Sequence, residues 1–538
     1  MVDSGLVWGA TIVYVVIMGL LGYLGWRRTK SGSDFLLAGK NVHPFIIGLS
    51  YGSTFISTSA IVGFGGFAGA WGLGIVWLAG LNIALGLLFA FVFFGKRVRK
   101  IGQKLKSQTF PELLGSTYNS SFIRWFVAVV ILLGMPLYAA AVLIGGSTFM
   151  YQVIPGLDFN GALIIFTVVT AAYVITGGLR AVMYTDAFQG VLMIVGMTAI
   201  FLITMSLLGG FDSANQQLTN LAPQVPATYK AQGMVGWTAF PTLGSDNWIT
   251  LVTTIILPVG IGVLAQPQLA VRFMTAKDSK ALNRSIPFGG VFLVMTVGLA
   301  YLIGAWSNVY FWNNFGQVSI VKAGSINNII PAFINASQDQ VIVVIFMLTL
   351  LAAAMSTLSS LFHVMGSAAG YDLFSVVTGR DRFKKYATTQ NTAKGSLRVN
   401  QVATLIVIFV SFVLAAELPR SGGIIAIATS MFFGVCASAF LPLFVQGLFA
   451  KRPSVLAAKW SLAVGAVAWV LWTTFACKTT ASVLGVVQAL TGKPSIFTGA
   501  LAVIDPILIA LPLSTLTLIV VWVLDKDSRM DGRGVAGA

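Results

Sequence analysis

Apolar stretches long enough to cross a bilayer recur along the whole of this 538-residue chain, and no other feature restricts its folding as far. A helix needs about 20 predominantly apolar residues to span the hydrocarbon core. Thirteen candidates satisfy this, at 5–25, 45–70, 74–95, 122–150, 161–178, 186–209, 247–268, 285–308, 339–369, 399–417, 423–449, 457–477 and 502–524. Charged residues make up only 9% of the chain, against about 25% in a soluble domain, so water-facing surface is scarce. The expected class is an all-α polytopic protein of the cell (plasma or inner) membrane. No stretch is left for a soluble effector domain, and the tail after Asp525 is too short to fold alone.

The formal charge of +17 is explained by membrane topology rather than by nucleic acid, because lysine and arginine in cytoplasmic loops orient membrane helices. With thirteen helices and the N-terminus outside, the odd-to-even loops and the C-terminal tail hold 28 of the 33 basic residues, from Arg27 and Arg28 to Arg529 and Arg533. The opposite side holds Lys230, Lys322, Arg420, Lys478 and Lys493. A wrong helix count would scramble this alternation beyond the error, so the N-terminus is expected outside and the C-terminus in the cytoplasm. The chain begins MVDSG without a basic n-region, so its first apolar run is expected to be a retained helix. Cys436, Cys477, His43 and His363 form no ligand cluster or disulfide framework. Embedded groups for a membrane enzyme or redox subunit are nearly absent, and the chain is expected not to be an enzyme.

Two spans read as interrupted. The second contains GSTFISTSAIVGFGGFAG from Gly52 to Gly69, and the seventh contains LPVGIG from Leu257 to Gly262. Glycine and proline also serve helix packing and kinks. Placed five helices apart, however, each opens a five-helix unit, 2–6 and 7–11, and the odd number inverts the second. Paired interruptions in two halves point to a transporter binding site, because unwound backbone exposes ligating groups. The expected organisation is one transmembrane domain: an extra helix and loop at 5–44, a first repeat at 45–209, a second at 247–449, and two helices with a tail at 457–538. The ninth span carries LLAAAMSTLSS, from Leu350 to Ser360. Its hydroxyls either bond back to the preceding turn or hold Na+, a hard cation that takes oxygen ligands. In the second reading the Ala353 carbonyl, one turn before Ser356 and Thr357, faces the same side. Asp186 is either the cap of the sixth helix, with Arg180 as its partner, or part of the ion's exit path; an acid inside a membrane span is rare enough to suggest function. The outer segment SINNIIPAFINAS at 325–337 is either an amphipathic helix over an entrance or a surface loop. No strong cation is expected in the core.

Together ITGGLRAVMYTDAFQG (Ile175–Gly190), AAAMSTLSS (Ala352–Ser360) and AQPQLAVRFMTAKDSKALNRS (Ala265–Ser285) resemble the solute:sodium symporter family over roughly residues 5–450. With YGSTFISTSAIVGFGG they look closest to its pantothenate, proline and monocarboxylate branches. The resemblance implies a leucine-transporter-like core of two inverted five-helix repeats. It implies a Na+ site made by the carbonyls of Ser53, Ile56 and Ala353 and the hydroxyls of Ser356 and Thr357. Substrate would sit beside it, against Ser57, Thr58, Ser59, Tyr138 and the backbone of Pro258, Gly260 and Gly262. Proline members carry an Asp where this chain has Phe55.

The expected function is Na+-coupled uptake of a small organic solute, a carboxylate such as a monocarboxylate, pantothenate or an amino acid, by alternating access. The alternatives are H+ coupling, a passive channel and a transport-like sensor. The expected partners are the solute and the lipid bilayer, with no nucleic acid and no obligatory protein partner.

Overall fold

A computed structural model describes residues 3–29, 32–40, 42–154, 156–374, 390–418 and 423–525. Among them are thirteen apolar helices and no strand. They are α1 (Ser4–Arg28), α2 (Pro44–Phe55 and Ser59–Trp71), α3 (Leu73–Lys104), α4 (Ser121–Val153), α5 (Phe159–Ile175), α6 (Gly178–Leu207), α7 (Asp246–Met274), α8 (Ser279–Phe315), α9 (Gln340–Leu373), α10 (Arg398–Glu417), α11 (Ile424–Phe449), α12 (Val455–Ala476) and α13 (Pro506–Leu524). Eleven are long enough to span alone, α2 does so as a pair of half-helices bent by 53°, and α5 is shorter. Eleven to twelve spans and one short apolar helix thus stand where thirteen are expected.

The loops sort onto two ends. At one end Arg180 donates to the carbonyls of Arg28 and Ala38 and pairs with Asp34. There too Arg99 reaches Lys277 and Ser279, Arg97 reaches Leu448, Arg124 pairs with Asp372, and Ser454 bonds Asp525. These are the loops that the alternation of charge puts on one side. Lys30, Arg380, Arg382, Lys384, Lys385, Arg420 and the basic residues of the tail lie outside the described residues. At the other end Asp3 meets Gln340, Asn313 meets Gln217, and the Trp237 indole donates to the Gly69 carbonyl.

Burial follows the helix order. α4, α9 and α11 are enclosed almost along their length, whereas α1 and α13 present most of their surface to lipid. Trp8, Ile12, Val13 and Leu20 of α1 are exposed, which water would penalise and hydrocarbon does not. The segment at 325–337 is helical from Ile329 to Ser337. It lies over the second half of α2, close enough that a Cβ on Gly66 would sit 2.2 Å from the Ile326 carbonyl oxygen.

Two boundaries differ from expectation. α6 starts at Gly178, not at 186, because Gly178 takes φ 60°, ψ −166°, a conformation open to glycine alone. A side chain there would also meet Phe35, 2.5 Å from a Cβ. The AVMYTD stretch is therefore inside the helix. In α7, LPVGIG is helical (Leu257–Gly262). Pro258 directly follows a π-helical stretch (Thr250–Ile256) of the same continuous helix, a widened turn of the kind that accommodates the ring and missing N–H of a proline. The interruption falls later, at Gln266 in extended conformation (φ −72°, ψ 125°), and the helix resumes at Pro267–Met274.

Candidate ion and substrate site

Breaking α2 at Ile56–Thr58 removes the donors that the last carbonyls of its first half would have met in a continuous helix. A buried carbonyl left unpaired costs roughly 1–3 kcal/mol, so partners have to come from elsewhere. They come from α9. The Ser356 hydroxyl donates to the Ser53 carbonyl at 2.8 Å and shares the Ala353 carbonyl at 3.2 Å. The Thr357 hydroxyl donates to the Thr54 carbonyl at 3.1 Å. All of these residues are buried. Ser53, Ala353, Ser356 and Thr357, four of the five expected ion ligands, thus stand together. Thr54 joins them, and Ile56 is the extended link itself (φ −93°, ψ 102°). These are neutral oxygens, the donor set suited to a small hard cation.

The two readings of the Ser/Thr cluster do not exclude each other, Ser356 itself bonding back to Ala353 as well as across to α2. Ser359 and Ser360 bond back to the Ser356 carbonyl, both at 3.0 Å. Ser356 and Thr357 turn across to α2.

Asp186 is corrected on two counts. It is eight residues inside α6 rather than at its start, so it is not a cap, and its partner is Arg272 rather than Arg180. The Arg272 guanidinium bonds Asp186 Oδ2 at 2.8 Å, with both side chains almost wholly enclosed. It also donates to Ser50 Oγ at 3.0 Å, to the Gln268 carbonyl at 2.6 Å, and to the hydroxyls of Thr54 and Ser360. Asp186 accepts in turn from Ser50 (2.8 Å), Thr54 (3.2 Å) and Ser359 (3.3 Å). A strong cation therefore does sit in the core, contrary to expectation. Arg272 reads as a loop residue because the apolar run ends near 268, but beyond the extended Gln266 the chain continues as the helix Pro267–Met274, which stays inside the protein. Arg272, Phe273 and Met274 are all buried. The pair ties α6 to α7, and both its members bond α2 and α9.

The expected substrate residues fall into two groups. Ser57 lies within hydrogen-bonding reach of the Tyr138 hydroxyl, and its Oγ accepts from the Ser59 N–H at 3.1 Å. Ser59 Oγ is buried without a hydrogen-bond partner among the described residues. Thr58 is committed to α4, donating to the Val142 carbonyl at 3.1 Å. Tyr138 stacks on Phe432 (5.8 Å) and meets Phe433 edge-on (5.7 Å), and Phe433 also contacts Phe55 (6.1 Å). Phe433 thus joins α2, α4 and α11 at the break, a role hidden in an ordinary apolar run. Pro258 is buried in α7. Gly260 packs on Leu81, and Gly262 lies against the backbone of α11, where a Cβ would be 2.1 Å from the Phe433 carbonyl oxygen. Backbone cannot yield as a side chain does. G262A is expected to cost roughly 1–3 kcal/mol by overpacking, read as a lower Tm of the purified protein; an unchanged Tm would remove this close approach.

Residues 35–465 match the sodium:solute symporter family. The sodium/pantothenate symporter of Haemophilus influenzae is 24% identical over 478 residues, spanning 88% of this chain and 92% of the relative. The high-affinity proline transporter of Bacillus subtilis is 25% identical over 465 residues, spanning 85% and 89%. The substrate-bound outward-open structure of a Na+-coupled sialic acid symporter superposes with a TM-score of 0.71 at 19% identity, covering 97% of this chain and 99% of that one. At that identity the likeness shows a shared fold.

Proposed function

This chain belongs to the sodium:solute symporter family, and from that premise we propose that it takes up a small organic carboxylate by alternating access at the break in α2. Na+ is the coupling ion. The observation that carries the reading is the meeting of Ser356 and Thr357 with the freed carbonyls of Ser53 and Thr54. An ion held there fastens α9 to the broken helix and steadies the half-helix that bears Ser57–Ser59.

Arg272 is fully engaged by Asp186 and its neighbours, so a substrate carboxylate is left to neutral donors. The Ser59 hydroxyl, which has no partner among the described residues, and the Ser57–Tyr138 pair supply them. Pantothenate, proline and sialic acid, the solutes named for the similar proteins, are all carboxylates. A potential of ~100 mV supplies about 2.3 kcal/mol per inward positive charge. One Na+ with one monoanion gains nothing from it, and the neutral Asp186–Arg272 pair adds no charge, so such a cycle runs on the Na+ gradient.

Asp186 lies on the way from the ion site to the basic end. That way is closed by the Arg272 guanidinium and, beyond it, by the buried Phe35, Leu36 and Leu37. Phe35 rests 5.3 Å from the His363 ring, and Arg180 clamps the segment through Asp34 and Ala38. Release of Na+ requires both to part.

Reconstituted protein should accumulate at least one of lactate, pyruvate, acetate, pantothenate or proline when Na+ is high outside, and should show counterflow. Uptake driven by a proton gradient alone would replace Na+ coupling, and absence of counterflow would make the protein a channel. The proposed orientation is N-terminus out and C-terminus in. A single reporter cysteine at Lys230 should be labelled by an impermeant reagent in intact cells, and one at Lys277 only after lysis; the reverse pattern inverts the topology.

A further inference from the structure

A groove of about 620 Å³ opens between α4, α9 and α10, at the end of the molecule where Arg124 pairs with Asp372. Its floor and walls are apolar, with Leu132 and Pro136 from α4, Gly370 and Phe374 from the end of α9, and Val402 and Ile406 from α10; Arg398 stands at its rim. Two irregular helices border it. Pro136 lies inside α4, and α9 ends in a π-helical stretch, Ala368–Leu373. Gly370 meets Asn400, with a Cβ placed 2.5 Å from its Oδ1, which pins α9 to α10 beside the groove.

The outer wall decides what the groove faces. Val402, Ile406, Phe409 and Val410 of α10 are all exposed within an apolar span, so the groove opens to hydrocarbon. Arg398 is exposed too, and it is the last charged residue before the apolar run that continues to Ala416, a position at headgroup depth. Among the described residues, one site therefore offers an apolar trench under the guanidinium of Arg398. A guanidinium binds phosphate through paired N–H donors, and basic pockets between membrane helices suit anionic headgroups.

We infer that this groove is a binding site for an anionic glycerophospholipid of the surrounding leaflet, with an acyl chain along α10 and the phosphate on Arg398. None of the groups that hold the ion or the substrate residues lines it, so it stands independently of the transport reading. The occupant comes from the bilayer, because a soluble organic anion would gain nothing from a trench open to lipid.

The test uses the full chain, purified in detergent and exposed to equal amounts of phosphatidylglycerol and phosphatidylcholine of the same chain length, with retained lipid counted by native mass spectrometry. The wild type is expected to retain phosphatidylglycerol in preference, and R398Q to lose that preference roughly fivefold, the worth of one interfacial basic residue. K451Q, a basic change at the same end but away from the groove, should keep it. A403W fills the trench and should cost one retained lipid whatever its headgroup. Equal retention of the two lipids by the wild type, or an R398Q protein that still prefers phosphatidylglycerol, overturns the assignment. R398Q alters an exposed side chain, so its result stands even where A403W folds poorly.

Discussion

Replacing Ser356 and Thr357 together with alanine is expected to abolish Na+-stimulated uptake while leaving the protein folded in the membrane. In the proposed ion site the two hydroxyls are the α9 half, and the carbonyls of Ser53 and Thr54, which they bond, are the other, with the Ala353 carbonyl beside them. If each hydroxyl contributes to the ion as a hydrogen bond does to a charged group, it is worth roughly 1.5–3 kcal/mol. Losing both raises the Na+ concentration for half-maximal uptake by roughly 100-fold or more, beyond any physiological range. The variant also strands two buried carbonyls, so its Tm should fall modestly. T357S restores a hydroxyl without the methyl group and should recover most of the Na+ response, separating ligation from packing. A well-expressed S356A/T357A protein with unchanged Na+ half-saturation would move the ion site elsewhere.

How much of this was legible beforehand differs by the kind of signal. Spans and loop sides are written in composition, because hydrocarbon and the charge rule act on every residue of a segment at once. The break in α2 is legible because small and hydroxyl residues crowd a stretch that lipid would otherwise fill with leucine. The matching break in α7 misleads, because LPVGIG carries the usual marks of a disrupted helix, yet the π-helical stretch before it takes up Pro258 and Gly262 serves close packing against Phe433. The actual departure at Gln266 carries a different mark, the Pro267 that follows it and disfavours helix at the residue before. Arg272 is the largest omission, and it has a common cause with the misplacement of Asp186. A charge at the edge of an apolar run looks like the start of a loop. Only the fold brings two such edges together, 86 residues apart in the chain, where each charge makes the other's burial tolerable. Phe433 is hidden for the opposite reason, since one phenylalanine in a run of apolar residues carries no mark of what it touches.

The Asp186–Arg272 pair leads to the second large effect. Both side chains lie deep among α2, α6, α7 and α9, and taking either away leaves the other charged, desolvated and alone. Breaking such a pair from one side typically costs about 3–5 kcal/mol, a large share of the ~5–15 kcal/mol that holds a domain together. D186N and R272Q are therefore each expected to lower Tm sharply and to reduce the amount of protein reaching the membrane. The double variant D186N/R272Q removes both charges and keeps amide groups for Ser50, Thr54 and Ser360, so it should recover most of the lost stability. The size of that recovery is the coupling energy of the pair. If the two single variants are as stable as the wild type, or if the double variant is no better than the worse single one, the pair is not the buried clamp described here. The double variant also isolates function. With folding restored, loss of the carboxylate from the proposed way out should slow turnover while Na+ half-saturation, which the proposed site assigns to Ser356 and Thr357, stays put. Turnover equal to the wild type would leave Asp186 a structural partner of Arg272 and remove it from the ion's path.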